Sequence, residues 1–517
     1  MARFRVVTRH QISGWRFLLR RLEHALVRRD TSMLDDPGRG RSTALTIGIA
    51  LACVCIAAAA VMAFFKPAKL IGNARVVADK DSGAVYVRIG DRLHPALNLT
   101  SARLIAGSPD KPVQVSGAEI SKFPRGPLVG IPGAPATLVD QPDTESTWAV
   151  CDSAQLGAAA PVNPETGLPT AARAGVVTTA IGAPLNIDQS TGRQLQADQA
   201  RLVRGDDTVW LIYRDPETES GVVRAAVSLT DTPVLLALGI DATAPVLTVS
   251  RGLLDAIPEA PPLRAPEIPG FGESMTLSSG YTAPVGTILA VSNPGAEASF
   301  YILSNSGAVR VSSVLAAMIR NADTAGTLST RTVGPGLVAT ALRPGIWPGT
   351  AKFPPRPIDL VDPSTNPVTC YQWERRADDA NATTHIVVGT QLPLRENESN
   401  QTVALVTANG SRGRTADAAY LPRTTGQFVQ VTGSDPASPR RESLYWITET
   451  GIRHGIDTAA DNADATLRAL ALRAPVLAPW SIVSLFAVGP TLSQRDARIQ
   501  HDGIPVNLGG TGLGGGS

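Results

Sequence analysis

The sequence predicts an α+β protein with one N-terminal transmembrane helix and an elongated outer region of four small α/β repeat modules around a central β-rich domain. Two observations support this: one long uncharged segment near the N-terminus, and a residue pattern that occurs four times after it. With 517 residues, the chain is long enough for several domains. The predicted parts are a basic amphipathic segment (1–41), the transmembrane helix (42–65), the outer domain (66–508) and a flexible Gly-rich tail (509–517).

The transmembrane prediction rests on 24 consecutive residues without a charge, between Arg41 and Lys66. At about 1.5 Å per residue, a helix of this length exceeds the roughly 30 Å hydrocarbon core of a bilayer. A buried core helix or a cleaved signal peptide are the alternatives. A core helix of this length normally contains more polar residues, and a signal peptide begins nearer the N-terminus. The segment therefore predicts a membrane anchor.

The charge distribution predicts the orientation of this anchor. Residues 1–41 carry ten arginines and four carboxylates, a balance of +6, whereas the remaining 37 basic and 41 acidic residues give −4. Arginines beside a span favour the cytoplasmic side, so we expect a cytoplasmic N-terminus and an outer domain on the other side. The basic segment can contact anionic membrane lipid. The net charge of only +2 gives no support for a nucleic-acid partner.

The segment 9–29 has the periodicity of a basic amphipathic helix. One face is an apolar stripe formed by Trp15, Leu18, Leu19, Leu22 and Leu26, and charged residues such as Arg16, Arg20 and Glu23 face elsewhere. Such a helix can lie on a membrane or dock into a groove of a partner protein. We favour partner docking, because a wide apolar face is costly to expose.

The four cysteines fall into two pairs. Cys53 and Cys55 lie in the predicted span, where they act as small apolar residues. Cys151 and Cys370 are the two that lie outside it, in similar apolar contexts typical of β-strands. An even pair in an oxidising compartment suggests a disulfide, closing a loop of about 220 residues, although two buried free thiols are the alternative.

The repeated pattern is an apolar strand, a glycine turn, a following arginine and an Ala/Leu-rich helical stretch. It predicts modules near 84–109, 208–240, 299–321 and 443–475. Chance similarity between short hairpins is the alternative. Between the modules lie further candidate strands, at 127–131, 146–151, 175–180, 285–291, 367–373, 385–390, 403–407 and 427–432. We expect these to build the central β domain, near 120–190 and 360–435.

Sequence motifs for catalysis are absent. None of the six lysines follows a glycine, which excludes a Walker A phosphate loop. There is also no G-x-S-x-G elbow and no H-E-x-x-H zinc motif. His94 and His454 occupy comparable places in the first and fourth modules, which predicts a structural role in a turn. The sequence therefore predicts no catalytic, cofactor-binding or metal-ligating residues.

Several strings in the chain resemble EccB, the single-span family of the mycobacterial type VII (ESX) secretion machinery. They are Thr8–Phe17, Leu97–Ile105, Pro124–Pro135, Trp148–Cys151, the stretch around Cys370, Leu444–Gly451, Ala478–Trp480 and Gly489–Ser493. The string Ile257–Leu263 is similar to that of the paralogue from the metal-acquisition ESX locus.

This resemblance implies a structural core subunit of the bacterial inner membrane, with a periplasmic domain of four repeats and a disulfide matching Cys151 and Cys370. It implies assembly with the EccC ATPase, EccD, EccE and other EccB copies over the translocation pore, where the mycosin protease can join them. Family descriptions also suggest an ATP-hydrolysing subunit. From the repeated outer modules alone, a cell-wall-binding membrane protein is a further alternative.

Overall fold

The computed structural model describes most of the chain. The described ranges are 8–29, 37–64, 70–141, 143–154, 175–188, 191–218, 221–292, 297–323, 329–406, 414–422, 426–458 and 463–504, with the single positions Gly295 and Gly326. The predicted tail, 509–517, lies outside them. The chain divides into two compact units, Met1–Leu70 and Ile71–Ser517. We call them the N-terminal unit and the C-terminal unit.

The N-terminal unit contains two helices, α1 (Arg9–Arg28) and α2 (Pro37–Phe64). Helix α2 begins before the predicted boundary at residue 42, because a proline is well tolerated in the first turn of a helix. Its 20-residue stretch Thr43–Met62 is long and apolar enough to cross a membrane. The predicted span therefore coincides with helix, except for residue 65, which lies outside the described ranges.

The C-terminal unit is built mainly from short strands and short helices. Its helices are α3 (Leu99–Ala106), α4 (Gly117–Ile120), α5 (Thr232–Leu238), α6 (Arg251–Ala256), α7 (Ser313–Ala322), α8 (Pro335–Ala341), α9 (Glu396–Ser399), α10 (Ala463–Leu470), α11 (Trp480–Val483) and α12 (Gln494–Ala497). Several begin at a side chain that accepts a hydrogen bond from a free N–H of the first turn, which stabilises the helix end. These capping residues are Asn98, Asp231, Ser250, Ser312 and Ser493.

The strands of this unit are as follows. The first half contains β1 (Val76–Asp79), β2 (Val85–Ile89), β3 (Arg92–Pro95), β4 (Val113–Val115), β5 (Leu128–Val129), β6 (Glu145–Ala154), β7 (Val176–Ile181), β8 (Gly192–Gln194), β9 (Gln199–Gly205), β10 (Thr208–Arg214), β11 (Val222–Val227), β12 (Leu247–Thr248), β13 (Glu259–Leu263), β14 (Ser274–Thr276), β15 (Thr282–Pro284) and β16 (Ile288–Val291). The second half contains β17 (Ser299–Ser304), β18 (Gly307–Val311), β19 (Thr330–Thr332), β20 (Leu342–Arg343), β21 (Asp359–Leu360), β22 (Val368–Arg376), β23 (Thr383–Gly389), β24 (Val403–Ala404), β25 (Ala418–Tyr420), β26 (Gln427–Thr432), β27 (Leu444–Ile447), β28 (Ile452–Gly455), β29 (Val476–Pro479), β30 (Ala487–Val488) and β31 (Gln500–His501).

A central sheet has the strand order β24-β25-β7-β6-β22-β23-β8. Strands β6 and β22 are antiparallel partners in its middle, and they bring residues more than 200 positions apart into direct register. Trp148 and Trp373 face each other across this pair, and both are completely buried. The central sheet therefore joins the two halves of the C-terminal unit.

Four further sheets share one pattern of connections. We call them sheet I (β3-β2-β1-β4), sheet II (β12-β9-β10-β11-β13, with β21), sheet III (β19-β16-β17-β18-β20) and sheet IV (β29-β26-β27-β28-β30). Each begins with three antiparallel strands, followed by a helix and by a strand parallel to the first. In sheets II, III and IV a second helix leads to a strand parallel to the third. That these sheets are copies of one repeat unit stays a prediction.

Three strands that we expected in the central domain lie elsewhere. The predicted strands 285–291 and 427–432 correspond to β16 and β26, the first strands of sheets III and IV. Strand β5, within the predicted 127–131, pairs with β31. For β16 and β26 the reason is local pairing: each forms a hairpin with the strand that follows it in the chain. The sheets therefore begin one strand earlier than the predicted modules.

The four sheets pack in two pairs through their first helices. Helices α5 and α7 contact each other and bury one core between sheets II and III. Helix α3 of sheet I contacts α10 and α12, with a core that includes Leu104 and Trp446. Helices α6 and α11, which follow in sheets II and IV, both contact strand β6 of the central sheet. The central sheet is thus the common support of sheets II and IV.

The two histidines singled out in the sequence have matching surroundings. His94 Nδ1 lies 3.1 Å from the carbonyl oxygen of Pro127, and His454 Nδ1 lies 3.0 Å from that of Pro490. Each ring also packs against the glycine that precedes its proline partner: His94 against Gly126, and His454 against Gly489. A Cβ atom at either glycine would collide with the imidazole ring. Both histidines are buried. These contacts are structural, and both histidines lie in strands rather than turns.

Candidate functional site: interaction surfaces of the two units

The apolar stripe predicted for the N-terminal helix lies on α1 and is exposed. The five side chains are between 49% and 74% accessible, and they are Trp15, Leu18, Leu19, Leu22 and Leu26. Thr8 caps helix α1, and its N–H donates to Gln11 Oε1 at 3.0 Å. A continuous exposed apolar face of this kind is typical of a binding surface. The role of these residues in partner binding stays a prediction.

The apolar face of α2 is exposed in the same way. Leu45, Leu51 and Val61 are each more than half accessible, as are other large apolar residues of the stretch. Cys53 and Cys55 are free and exposed on this helix, as expected from their place in the predicted span. A helix that is apolar on all sides is typical of a membrane environment.

In the C-terminal unit, Cys151 and Cys370 form a disulfide with an S–S distance of 2.02 Å. They lie directly opposite each other on β6 and β22, and both are completely buried. The bond joins residues 219 positions apart. In the chain-entropy view, closing so long a loop removes much of the freedom of the unfolded chain.

Buried polar groups fix the elements around this disulfide. Asp152 is buried next to it and accepts hydrogen bonds from Thr178 Oγ1 at 2.8 Å and Ser250 Oγ at 2.9 Å. Since Ser250 caps α6, this carboxylate connects the central sheet to sheet II. Such bonds hold a buried charge in one geometry.

Arg201 of strand β9 is also buried. Its guanidinium donates to the carbonyl oxygens of Val361 and Asn366, in the segment that leads to β22. Burial lowers the pKa of Arg201 to about 10, partly offset by the nearby Asp362 carboxylate. Neither Asp152 nor Arg201 was singled out from the sequence, since charged residues are usually expected at the surface.

The described residues contain no group of three or more His, Cys, Asp or Glu side chains that could hold a metal ion. A cleft of about 910 Å³ lies between the proline-rich segment 261–269 and the segment 343–350. Arg264, Arg343 and Trp347 contribute to its lining. Its lining also includes the carboxylate of Glu267, so the cleft has no single charge character.

Sheets II and IV each hold an arginine against aromatic rings. The Arg224 guanidinium lies 4.2 Å from the centroid of Trp210. The Arg453 guanidinium lies 5.0 Å from Trp480 and 6.0 Å from Tyr445. The two arginines belong to the predicted repeat pattern, but their stacking on aromatic rings was not predicted. Cation–π contacts of this kind fix the orientation of a guanidinium group.

The sequence as a whole matches a known family. Residues 4–506 match the family described as "Type VII secretion system ESX-1, transport TM domain B". The chain is 39% identical over 509 residues to "ESX-3 secretion system ATPase EccB3" of Mycolicibacterium smegmatis, covering 97% of this chain and 92% of that protein. It is 35% identical to "ESX-5 secretion system ATPase EccB5" of Mycobacterium tuberculosis, covering 97% and 95%.

Solved structures agree. A chain in "Structure of an intact ESX-5 inner membrane complex, Composite C3 model" has a TM-score of 0.73 and 32% identity, with 99% of both chains covered. A chain in "Structure of EccB3 dimer from the ESX-3 core complex" has a TM-score of 0.68 and 34% identity, covering 82% of this chain and all of that one. The resemblance seen in the sequence strings is thereby confirmed, and the chain belongs to the EccB family of the type VII secretion system.

Proposed function

We propose that this protein is a structural core subunit of a type VII (ESX) secretion complex in the bacterial inner membrane. The observation that carries the proposal is similarity over 99% of the chain to a subunit of a solved ESX-5 inner membrane complex. One helix suited to a membrane span, Thr43–Met62, agrees with that assignment. The absence of a phosphate loop or other catalytic motif from the sequence also favours a structural role.

In this proposal α2 spans the membrane, α1 is cytoplasmic and the C-terminal unit is periplasmic. The arginine-rich first 41 residues support that orientation. The C-terminal unit then assembles with other copies over the translocation pore, arranged as four repeat modules around the central sheet. One of the similar solved structures is that of an EccB3 dimer, which supports association between copies.

The proposed partners in the membrane and cytoplasm are the EccC ATPase, EccD and EccE, with the mycosin protease able to join on the periplasmic side. The exposed face of α1 is the proposed docking surface for one of these proteins. Its alternative occupant is membrane lipid, because the helix is also basic.

Affinity purification of the gently solubilised protein, followed by mass spectrometry, tests this function. We expect EccC, EccD and EccE to be recovered with the full-length chain and lost when residues 9–28 or 43–62 are deleted. Normal recovery after both deletions contradicts the proposal. Protease accessibility in inside-out membrane vesicles tests the topology separately: digestion of the C-terminal unit by protease added to the exposed cytoplasmic face contradicts the orientation.

Two alternative functions can be tested with the same preparation. The names of the relatives contain the word ATPase, so ATP turnover by contaminant-free protein, absent from a mock purification, would favour a hydrolase. Sedimentation with isolated peptidoglycan would favour a cell-wall-binding protein. We expect neither, because the sequence has no Walker A loop and the predicted orientation places the C-terminal unit away from cytoplasmic ATP.

A further inference from the structure

Sheets II and IV place an arginine at the same position in the same strand register. In sheet II, Arg224 of β11 lies opposite Glu259 of the parallel strand β13. In sheet IV, Arg453 of β28 lies opposite Val488 of the parallel strand β30. The two sites therefore differ at the residue that faces the arginine.

The two arginines are anchored in the same way. Arg224 Nε donates to the carbonyl oxygen of Ile257 at 3.2 Å, and Arg453 Nε donates to that of Phe486 at 3.1 Å. Each acceptor lies two residues before the position opposite the arginine. The two guanidinium groups are therefore anchored at equivalent places in the two sheets.

In sheet II that place is occupied. Arg224 Nη2 lies 3.1 Å from Glu259 Oε2, so the guanidinium is neutralised within the chain. In sheet IV the equivalent residue is Val488, which is 72% exposed. Among the described residues, no carboxylate lies within ion-pair distance of Arg453. Sheet IV therefore has the arginine of this ion pair, but its described residues do not supply the carboxylate that Glu259 supplies in sheet II.

Aromatic residues hold the Arg453 guanidinium in position. It lies against Trp480 and Tyr445, whose rings are 5.7 Å apart and inclined by 30°. The arginine is half-buried, and burial lowers its pKa, with a smaller opposite effect of Tyr445. Arginine nevertheless stays charged in proteins. Removing the charged Arg453 guanidinium partly from water costs free energy, and an ion pair with a carboxylate offsets that cost.

We propose that an Asp or Glu side chain of a second copy of this chain pairs with Arg453 and packs beside Val488. The proposal rests on the proposed function, in which copies associate through their C-terminal units. It specifies the chemistry of one contact in that association. Carboxylates are available, because residues 42–517 carry 41 acidic side chains against 37 basic ones. The guanidinium of Arg453 can donate to the carboxylate of an Asp or Glu side chain, while the CH2 groups of that side chain pack against Val488.

The decisive variant is Val488→Glu, which places a carboxylate where sheet II has Glu259. It should pair with Arg453 within the chain and exclude the carboxylate of the other copy. We expect self-association of the full-length protein in detergent to weaken by roughly tenfold or more, measured by sedimentation velocity, without loss of thermal stability. Val488→Gln, similar in size but uncharged, is the matched control and should have a smaller effect.

A second control inverts the comparison. Glu259→Val opens the sheet II pair, and we expect it to leave self-association unchanged. If V488E does not fold, Arg453→Gln is the decisive variant, and we expect it to weaken self-association as much as V488E would. Arg453→Lys keeps the positive charge and should retain part of the self-association. Unchanged association in V488E, or in R453Q if V488E does not fold, overturns this inference alone. A wild-type protein that stays monomeric overturns both this inference and the proposed association between copies.

Discussion

Trp15 and Trp373 show how differently the two units use the same kind of residue. Trp15 lies in the amphipathic helix α1 and is 63% exposed, whereas Trp373 lies in the central sheet and is completely buried. Strand β22, which carries Trp373, packs against neighbouring strands and helices of its own chain. The α1 face has no such cover among the described residues. The comparison teaches that the C-terminal unit can complete its core alone, whereas α1 presents an apolar face that other molecules can bury.

The largest expected effect is on the buried side of this comparison. Trp373→Ala should lower the free energy of unfolding by about 3–5 kcal/mol, because it removes a large side chain and leaves a cavity. Chemical denaturation of the full-length protein, followed by circular dichroism, measures this. Trp15→Ala is the matched control. Equal destabilisation by the two substitutions would mean that the exposed helix also contributes to a core.

The disulfide should have the next largest effect. Replacing Cys151 and Cys370 by serine should lower the free energy of unfolding by roughly 2–5 kcal/mol, because the long loop is no longer closed in the unfolded chain. Reductant should destabilise the wild type and have no further effect on the double variant. If reductant affects both proteins equally, the loss of stability does not come from this bond.

A smaller effect should depend on pH. Burial lowers the pKa of His454, and its hydrogen bond to the Pro490 carbonyl opposes this only in part. The folded state thus favours the neutral ring, so the unfolded chain binds a proton first as the pH falls. Stability should be full above about pH 6.5 and decrease below it. The melting temperature of His454→Asn should fall less over this range than that of the wild type. Parallel pH profiles of the two proteins would contradict this origin.

The smallest effect on unfolding should come from α1. The double substitution Trp15→Glu and Leu22→Glu should leave the unfolding of the C-terminal unit unchanged, because these side chains are exposed. It should nevertheless reduce the recovery of partner proteins in affinity purification. Arg16→Gln, on the same helix, controls for charge. Full recovery of partners with the double variant argues against α1 as a docking surface.

The sequence could predict what depends on neighbouring residues or on simple counting. Helix α1 was predictable because its apolar residues follow the helical period, and α2 because an uncharged run of this length is typical of a membrane span. The Cys151–Cys370 pairing was predictable because only two of the four cysteines lie outside the long apolar segment. Hairpins such as β27–β28 were predictable because their strands are adjacent in the chain.

Membership of strands in sheets was harder to predict. Strands such as β12 and β30 have only two residues each, so they carry no periodicity to recognise. Strand β13 contains two prolines, which usually argue against a strand. These strands form where a preceding helix returns the chain to the sheet. Their pairing is therefore decided by packing rather than by local preference.

The amino-acid sequence by itself indicated the long apolar helix, the amphipathic helix, the two candidate disulfide cysteines and the family, because each depends on residue type, order or spacing. Only the tertiary structure decided that Arg201 and Asp152 are buried and that Arg453 faces Val488 whereas Arg224 faces Glu259. The burial of Arg201 and Asp152 depends on contacts with distant parts of the chain. The difference between Arg224 and Arg453 depends on which residue lies opposite each arginine across parallel strands more than 30 positions apart. No local pattern specifies that register, since it is set by how the intervening helices pack.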